Sequence, residues 1–250
     1  MLFAVKNNQK KKNMKKTILS MLLTLLTMSA MADVKINATN FPDAKFRSYL
    51  LDSSYGKDGV LTDEEIAGIT TIVVSDKGIQ SLKGIEFFPE LTILSCNINE
   101  LTSLDVSKNT KLIKLFCDRN KLKTLDVSKN TVLEMLECGG NLLTTLDLSK
   151  NPRLTYLYCP NNPLTSLDLS KNPKLTYLYC CQSQIKGAAM DRLVGSLPKV
   201  SYDGRMFVIL HKDEGNVMTT KQVTAAKAKG WKPQYFDGKE WKVYAGSESR

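Results

Sequence analysis

The sequence of 250 residues contains one histidine, His211, and modest numbers of glycine and proline, 14 and 8. Because there is one histidine, no local motif assembles a Ser-His-Asp triad, a Cys-His pair or a histidine-based metal site. We interpret His211 as a surface residue at the end of a strand. The few glycines and prolines exclude a collagen-like chain, and the 42% of apolar residues exclude a disordered one. These absences favour a folded, non-enzymatic chain that needs no metal and no cofactor.

The sequence also has no apolar run of the about 20 residues that a membrane-spanning helix requires. The apolar segment at residues 18–28 follows a lysine-rich stretch and precedes Ala30-Met-Ala32. This order is typical of a secretory signal peptide that is cleaved before Asp33. We therefore predict that residues 1–32 are a signal peptide. The mature chain is expected to be exported to the medium, the cell surface or the periplasm, without a membrane anchor.

Acidic residues are absent from the segment 1–32, which holds six lysines. The rest of the chain carries 29 basic and 25 acidic groups, so more than half of the formal net charge of +10 belongs to the N-terminal segment. Two lysines follow Met14 and also fit the start of a signal peptide, which makes Met14 an alternative start to Met1. Because most of the net positive charge lies in the predicted signal peptide, the chain is expected to have no nucleic-acid partner.

The middle of the chain is built from a repeated sequence of constant length. The motif Leu-Asp-x-Ser-Lys-Asn occurs four times and begins at Leu104, Leu125, Leu146 and Leu167. Between these motifs the pattern Leu-x-x-Leu-x-Cys recurs with the same spacing and ends at Cys96, Cys117, Cys138, Cys159 and Cys180. An asparagine lies three positions after each of the first four cysteines, at Asn99, Asn120, Asn141 and Asn162. The spacing falls within the period of roughly 20–29 residues that, with these leucines, defines the leucine-rich repeat pattern.

Residues 69–186, five full units and a degenerate one before them, resemble the short leucine-rich repeats of bacterial secreted and surface proteins, the internalin-like and BspA-like groups. The resemblance implies an α/β, β-rich solenoid, a right-handed stack of repeats of about 21–22 residues. Residues 33–68 resemble the helical, EF-hand-like N-terminal cap of internalin-type proteins. Residues 187–250 are predicted to form a mixed α/β C-terminal cap. Because a single unit cannot bury its apolar side alone, stability comes from stacking.

The repeated cysteines share one position, on the same side of the strand as the leucine before them, because side chains alternate along a strand. We predict that all five form a buried thiol ladder. A metal site needs ligands that converge tetrahedrally, whereas a ladder runs in a line. Disulfides are the other alternative, since secretion normally accompanies them. Cys181 is expected to point outward and to be the thiol most open to reaction or pairing.

The repeated asparagines suit tight turns. The resemblance implies that each of them bonds backbone groups where the coil leaves the strand. Ser183 replaces the asparagine in the last unit, which predicts that the regular stack ends there.

The outward strand positions carry large side chains in neighbouring units, at Tyr156, Tyr158, Tyr177, Tyr179, Phe116 and Met135. Exposed apolar patches mark interaction sites, and tyrosine is enriched in them. These residues form our hypothetical binding surface on the concave face, for a protein or a polysaccharide. The alternative is that tyrosine, a good strand former, merely builds cross-strand ladders. The opposite side carries ladders of Asp and Lys, which we interpret as a solvated, turn-forming face.

Two further segments admit a ligand site. In an EF-hand alignment Asp58 and Glu65 fall at positions 5 and 12, but Ser54 and Gly56 occupy positions 1 and 3, where calcium needs oxygen ligands, so no calcium site is expected. The C-terminal region is rich in aromatic residues, which either close the stack or form a separate glycan site. They are Trp231, Tyr235, Phe236, Trp241 and Tyr244.

Stacked repeats offer a long preformed surface rather than a deep pocket. We therefore expect an exported, monomeric leucine-rich repeat protein that recognises a protein or a glycan through its concave strand face, without catalysis. The alternative is a structural or adhesive cell-surface spacer that has no specific ligand. A glycoside hydrolase would need a carboxylate pair in a closed pocket, and Asp118 and Glu137 are the acidic pair on this face.

Overall fold

The computed structural model describes residues 33–201, 204–209 and 215–247. The predicted signal peptide and His211 lie outside these ranges. The strands are β1 (Val34–Lys35), β2 (Val60–Leu61), β3 (Thr71–Val73), β4 (Ile93–Ser95), β5 (Lys114–Phe116), β6 (Met135–Glu137), β7 (Tyr156–Tyr158), β8 (Tyr177–Tyr179), β9 (Gly204–Ile209), β10 (Trp231–Phe236) and β11 (Trp241–Val243). The helices are α1 (Ala44–Asp52), α2 (Asp63–Gly68), α3 (Ala188–Ser196) and α4 (Thr220–Ala228), with a short 3-10 helix at Ile85–Phe87.

Nine of these strands form one sheet, in which β3 to β11 lie in the order of the sequence. Neighbours from β3 to β10 are parallel, and β11 is antiparallel to β10. From β4 to β8 each repeat pairs in the same register, so that equivalent leucines oppose one another. The predicted α/β solenoid of leucine-rich repeats is confirmed by this sheet.

Each repeat contributes a short strand and a coil that share one apolar side. In the unit around β5 the core positions are almost entirely buried, at Leu112, Leu115, Cys117, Leu122, Leu125 and Val127. Burying a leucine side chain contributes about 1.5–3 kcal/mol. Because these positions recur in every unit, the core runs continuously through the stack.

The chain turns after each strand from β3 to β8 at a residue with left-handed backbone conformation. Five of these turn residues in the described chain are not glycine, although positive φ is costly for a side chain with a Cβ. They are Asp76, Ile98, Arg119, Asn161 and Gln182, and Gly140 occupies the same position in the unit of β6. The repeated asparagines lie beside these turns, which are therefore held by side-chain hydrogen bonds as well as by packing.

The N-terminal cap is attached to the first coil by Asp43. Its Oδ1 atom accepts the N–H groups of Lys45 and Phe46 at the start of α1. Its Oδ2 atom accepts the N–H groups of Gln80 and Ser81, at 2.8 and 3.2 Å. One carboxylate thus caps a helix and fixes that helix to the repeats.

The EF-hand-like segment uses its last acidic residue in a helix cap. Glu65 Oε2 accepts the backbone N–H and the hydroxyl of Thr62, both at 2.9 Å, and the Thr62 hydroxyl accepts the Glu65 N–H. This capping box begins α2. No group of three or more His, Cys, Asp or Glu side chains is placed to hold a metal ion anywhere in the described ranges.

Strand β9 follows β8 at a longer spacing than the repeat period, so the regular repeats end with the unit of Ser183 while the sheet continues. Strand β9 adds to β8 in parallel, with Met206 opposite Leu178. In the coil after β9 the asparagine position is held by Asn216, whose Nδ2 donates to the carbonyl oxygens of Cys180 and Val208 at 2.7 and 2.9 Å. Its Oδ1 accepts the Ile185 N–H at 2.9 Å, so the asparagine ladder resumes one coil later.

The C-terminal elements follow sequence signals. Helix α3 ends before Pro198. Thr219 and Gln222 form the capping box that opens α4, and β10 and β11 are joined through Asp237 and Gly238, where Gly238 has φ of 98°. No helix within the described ranges is long and apolar enough to cross a membrane.

Candidate functional site

The exposed side of the sheet carries six aromatic side chains that contact one another. They come from β7, β8, β9 and β11, and we call them the aromatic face: Tyr156, Tyr158, Tyr177, Tyr179, Phe207 and Trp241. The four tyrosines are half-buried. The structure therefore places the predicted tyrosines together and joins two further residues to them.

Tyr156 and Tyr177 stack face to face, with ring centroids 4.2 Å apart and ring planes inclined by 11°. Because their faces cover each other, they offer mainly ring edges and hydroxyl groups to a ligand. Burial raises the pKa of both phenols, and the charge of Glu137 raises them further. Both hydroxyl groups are thus protonated at neutral pH, and they hydrogen-bond to each other.

Phe207 and Trp241 extend the tyrosines toward the C-terminal cap. Phe207 lies 5.3 Å from Tyr177 and 5.2 Å from Tyr179, measured between ring centroids, and is only 7% exposed. Trp241 meets Phe207 and Tyr179 edge-on, at 4.7 and 5.4 Å. The sequence offered little signal for this contact, since Trp241 reaches the tyrosines only through the hairpin of β10 and β11.

The C-terminal aromatic residues do not form a separate site of five members. Trp231 is 1% exposed and its indole N–H donates to the Pro198 carbonyl at 2.8 Å, so it belongs to the core. Trp241 belongs to the aromatic face, and Phe236 contacts it with ring centroids 5.4 Å apart. Tyr235 and Tyr244 contact each other at 6.0 Å and line a cavity of about 510 Å³ at the end of the sheet.

The other two predicted surface residues lie on the strands that precede the tyrosines. Met135 pairs in register with Tyr156 and is partly exposed. Phe116 is separated from Tyr158 by Glu137, which occupies the row between them. The apolar surface is therefore interrupted by a carboxylate.

Burial raises the pKa of Glu137, and the negative charge of Asp118 raises it further. Burial also raises the pKa of Asp118, while the neighbouring Arg119 opposes this shift. Asp118 lies two positions beyond Phe116, which is in register with Glu137, so two half-buried carboxylates of neighbouring repeats share this end of the face.

The repeated cysteines and Cys181 are all buried, and none of these six forms a disulfide. Burial raises the pKa of the Cys138 thiol to about 12, and the charges of Asp118 and Glu137 add to this shift. Cys181 was expected to be accessible, and this is wrong: it is 0% exposed. It occupies an outward register position, but the rings of Tyr158 and Tyr179 lie close enough for its thiol to influence their pKa values.

The predicted asparagines bond backbone groups of two successive units. Asn141 is typical: its Nδ2 donates to the carbonyls of Cys117 and Cys138 at 3.1 and 3.0 Å, and its Oδ1 accepts the Leu122 N–H at 3.0 Å. Asn99, Asn120 and Asn162 make equivalent bonds.

A second asparagine ladder was not predicted from the sequence. Its members are the last residues of the repeated Leu-Asp-x-Ser-Lys-Asn motifs and are fully buried: Asn109, Asn130, Asn151 and Asn172. Each Nδ2 donates to two carbonyls of the preceding coil. These asparagines are visible in the sequence as the last residue of the motif. Only the aspartates and lysines of the motif were interpreted, as a solvated face.

The aspartates of the same motif lie on the exposed side, as expected of a turn-forming ladder. Each accepts the N–H of the serine two positions later, for example Asp126 from Ser128 at 2.8 Å. Hydrogen bonds from this serine lower the pKa of Asp126.

No protein-family model matches the chain, and no curated protein matches it. Among solved structures it is similar to the functional domain of InlJ from Listeria monocytogenes, described as including a cysteine ladder, with 32% identity and a TM-score of 0.65 over 80% of this chain. It is also similar to the internalin InlF from Listeria monocytogenes, with 24% identity and a TM-score of 0.62 over 90% of this chain. The chain spans 42% and 62% of the lengths of these two structures.

Proposed function

We propose that this chain, a bacterial leucine-rich repeat protein of internalin type, is an exported recognition protein that binds its ligand through the aromatic face and catalyses no reaction. The observation that carries the proposal is the contact of six aromatic side chains from four strands on the exposed side of the sheet. Aromatic side chains combine a large rigid surface with a polar group and dominate the energetics of interfaces. Export follows from the signal peptide that we predict at residues 1–32.

A protein ligand fits this face better than a glycan. Sugars usually dock on exposed ring faces, but the stacked rings of Tyr156 and Tyr177 cover each other. What they offer to a ligand is a row of edges and phenolic hydroxyl groups. Such groups suit the backbone carbonyls and side chains of a protein segment.

The second candidate function is a spacer without a specific ligand. It is favoured by the same stacking, because cross-strand aromatic pairs stabilise a sheet by about 0.2–1 kcal/mol each even when nothing binds to them. An array of purified extracellular proteins and of glycans distinguishes the two functions. Saturable binding to one component supports recognition, and the absence of such binding supports the spacer.

The role of the face is tested by replacing all four tyrosines with serine. We expect binding of the array ligand to be lost while the circular dichroism spectrum and the cooperative unfolding transition are kept. A matched control replaces four exposed lysines of the opposite side with serine, at Lys108, Lys129, Lys150 and Lys171. Full binding by the tyrosine variant would contradict the proposal.

A further inference from the structure

The aromatic face ends at two carboxylates that belong to neighbouring repeats. Glu137 ends β6 and lies in register between Phe116 of β5 and Tyr158 of β7. Asp118 lies two positions beyond Phe116. Both side chains are half-buried, so they lose part of their hydration while remaining open to a partner.

Neither carboxylate has an ion-pair partner within 4.0 Å in the part of the chain that the structure describes, where the ion pairs involve Glu90, Glu100, Asp237 and Glu240. The positive group that acts on Asp118 is Arg119, which is exposed and offsets the rise in the Asp118 pKa only in part. The other cations of the face, Lys114 and Arg205, occupy the row at the opposite end of the strands. The negative charge of this corner is therefore incompletely compensated.

A glycine brings an aromatic ring to the same corner. A Cβ atom on Gly139 would lie 2.8 Å from Tyr158 Cε1 and 2.8 Å from Pro160 Cδ. Only the missing side chain lets the Tyr158 ring lean over the end of β6. Burial raises the pKa of Tyr158, and the charges of Asp118 and Glu137 add to this effect, so the ring lies within their electrostatic reach.

We propose that Asp118, Glu137 and Tyr158 receive the arginine or lysine side chain of a protein ligand that docks on the aromatic face. This inference rests on the proposed function and specifies the chemistry of the partner. A bound cation would lie between the two carboxylates and offset their repulsion. It would also gain charge-assisted hydrogen bonds and pack against the tyrosine ring. Arginine suits the site best, because its planar group can bond both carboxylates and stack on an aromatic ring.

The test uses a defined probe on the folded protein. Nα-acetyl-arginine N-methylamide is titrated against the protein, and carboxyl and tyrosine ring resonances are followed by NMR. The neutral isostere with citrulline in place of arginine is titrated in parallel. We expect saturable shifts at Asp118, Glu137 and Tyr158 with the arginine compound and about tenfold weaker binding of the citrulline compound.

The matched variants are Glu137→Gln and Glu134→Gln. Both remove one negative charge, but Glu134 is exposed and precedes β6. We expect Glu137→Gln to weaken arginine binding about tenfold and Glu134→Gln to leave it unchanged. Equal binding of the two compounds, no shift at the three residues, or equal losses in both variants would overturn the inference.

The outcomes separate this inference from the proposed function. If the array finds a tyrosine-dependent ligand but the arginine compound does not bind, recognition stands and the cation site is wrong. If the arginine compound binds but the array finds no ligand, the corner binds a cation, while the proposed function and the docking role that rests on it both fail.

Discussion

At the scale of single residues, asparagine is the polar side chain that holds the repeats together. Each member of the first ladder joins two coils by donating to their carbonyls and accepting an N–H from the earlier one. Buried backbone groups left without a partner are costly, so a coil without regular secondary structure needs such a side chain. Asn216 shows that the requirement is geometric, because it makes the same bonds in the coil after β9, where the repeat period no longer holds.

Asn141→Ala should therefore destabilise the protein more than the loss of side-chain volume alone would. The substitution leaves the Cys117 and Cys138 carbonyls and the Leu122 N–H without their side-chain partner. At about 1–3 kcal/mol for each unsatisfied buried group, we expect a loss of about 3 kcal/mol in the free energy of unfolding, measured by urea denaturation. The neighbour Leu142 is 49% exposed, and Leu142→Ala is the control, with a loss below about 0.5 kcal/mol. Equal losses would contradict this role.

At the scale of elements, the helical cap and the first repeat are joined through Asp43. Burial acts to raise the pKa of Asp43, but hydrogen bonds from four backbone N–H groups outweigh it, and the pKa lies below its ordinary value of 3.8. A pKa that is lower in the folded than in the unfolded chain stabilises the fold above the unfolded value. This contribution is lost as the pH falls through the folded-state pKa.

Asp43→Asn should lower the melting temperature at neutral pH and should reduce the difference between the melting temperatures at neutral and acidic pH. The asparagine amide has one oxygen acceptor and no negative charge, so it cannot replace the charged carboxylate as the acceptor of four backbone N–H groups. The measurement is the melting temperature as a function of pH for both proteins. Asp52→Asn, at the exposed end of α1, is the control. Parallel curves for wild type and Asp43→Asn would show that Asp43 is not linked to folding.

At the scale of the whole molecule, the structure is nearly one-dimensional. Each strand from β4 to β8 contacts its two neighbours in the same register, and the core positions repeat with the period of the sequence. In such a stack the stability is approximately a sum over units and the interfaces between them. Residues 33–68 precede the first strand of this sheet, and β9, β10 and β11 follow the last regular repeat.

Deleting one complete period should leave a folded protein. Removing residues 121–141 takes out one whole unit, including β6, and joins Asn120 to Leu142 with the repeat phase preserved. We expect cooperative thermal unfolding at a lower temperature, because one interface is lost. Removing residues 121–131 instead takes out about half a unit, including Leu122, Leu125 and Val127 of the core, and leaves too little chain to return from β5 to β6, which should prevent regular stacking. Similar behaviour of the two deletions in circular dichroism would contradict the repeat model.

The sequence alone determined the repeat, the parallel sheet and the inward leucines and cysteines, because a strict period forces equivalent residues into equivalent environments. It also placed the four tyrosines on one side, since side chains alternate along a strand. The tertiary structure alone decided the contacts of residues that do not follow the repeat period. It brought Trp241 and Phe207 to the tyrosines, covered Cys181, and placed Asn216 in the asparagine ladder one coil after Ser183. These contacts join residues whose separation in sequence follows no period, so only the folded chain brings them together.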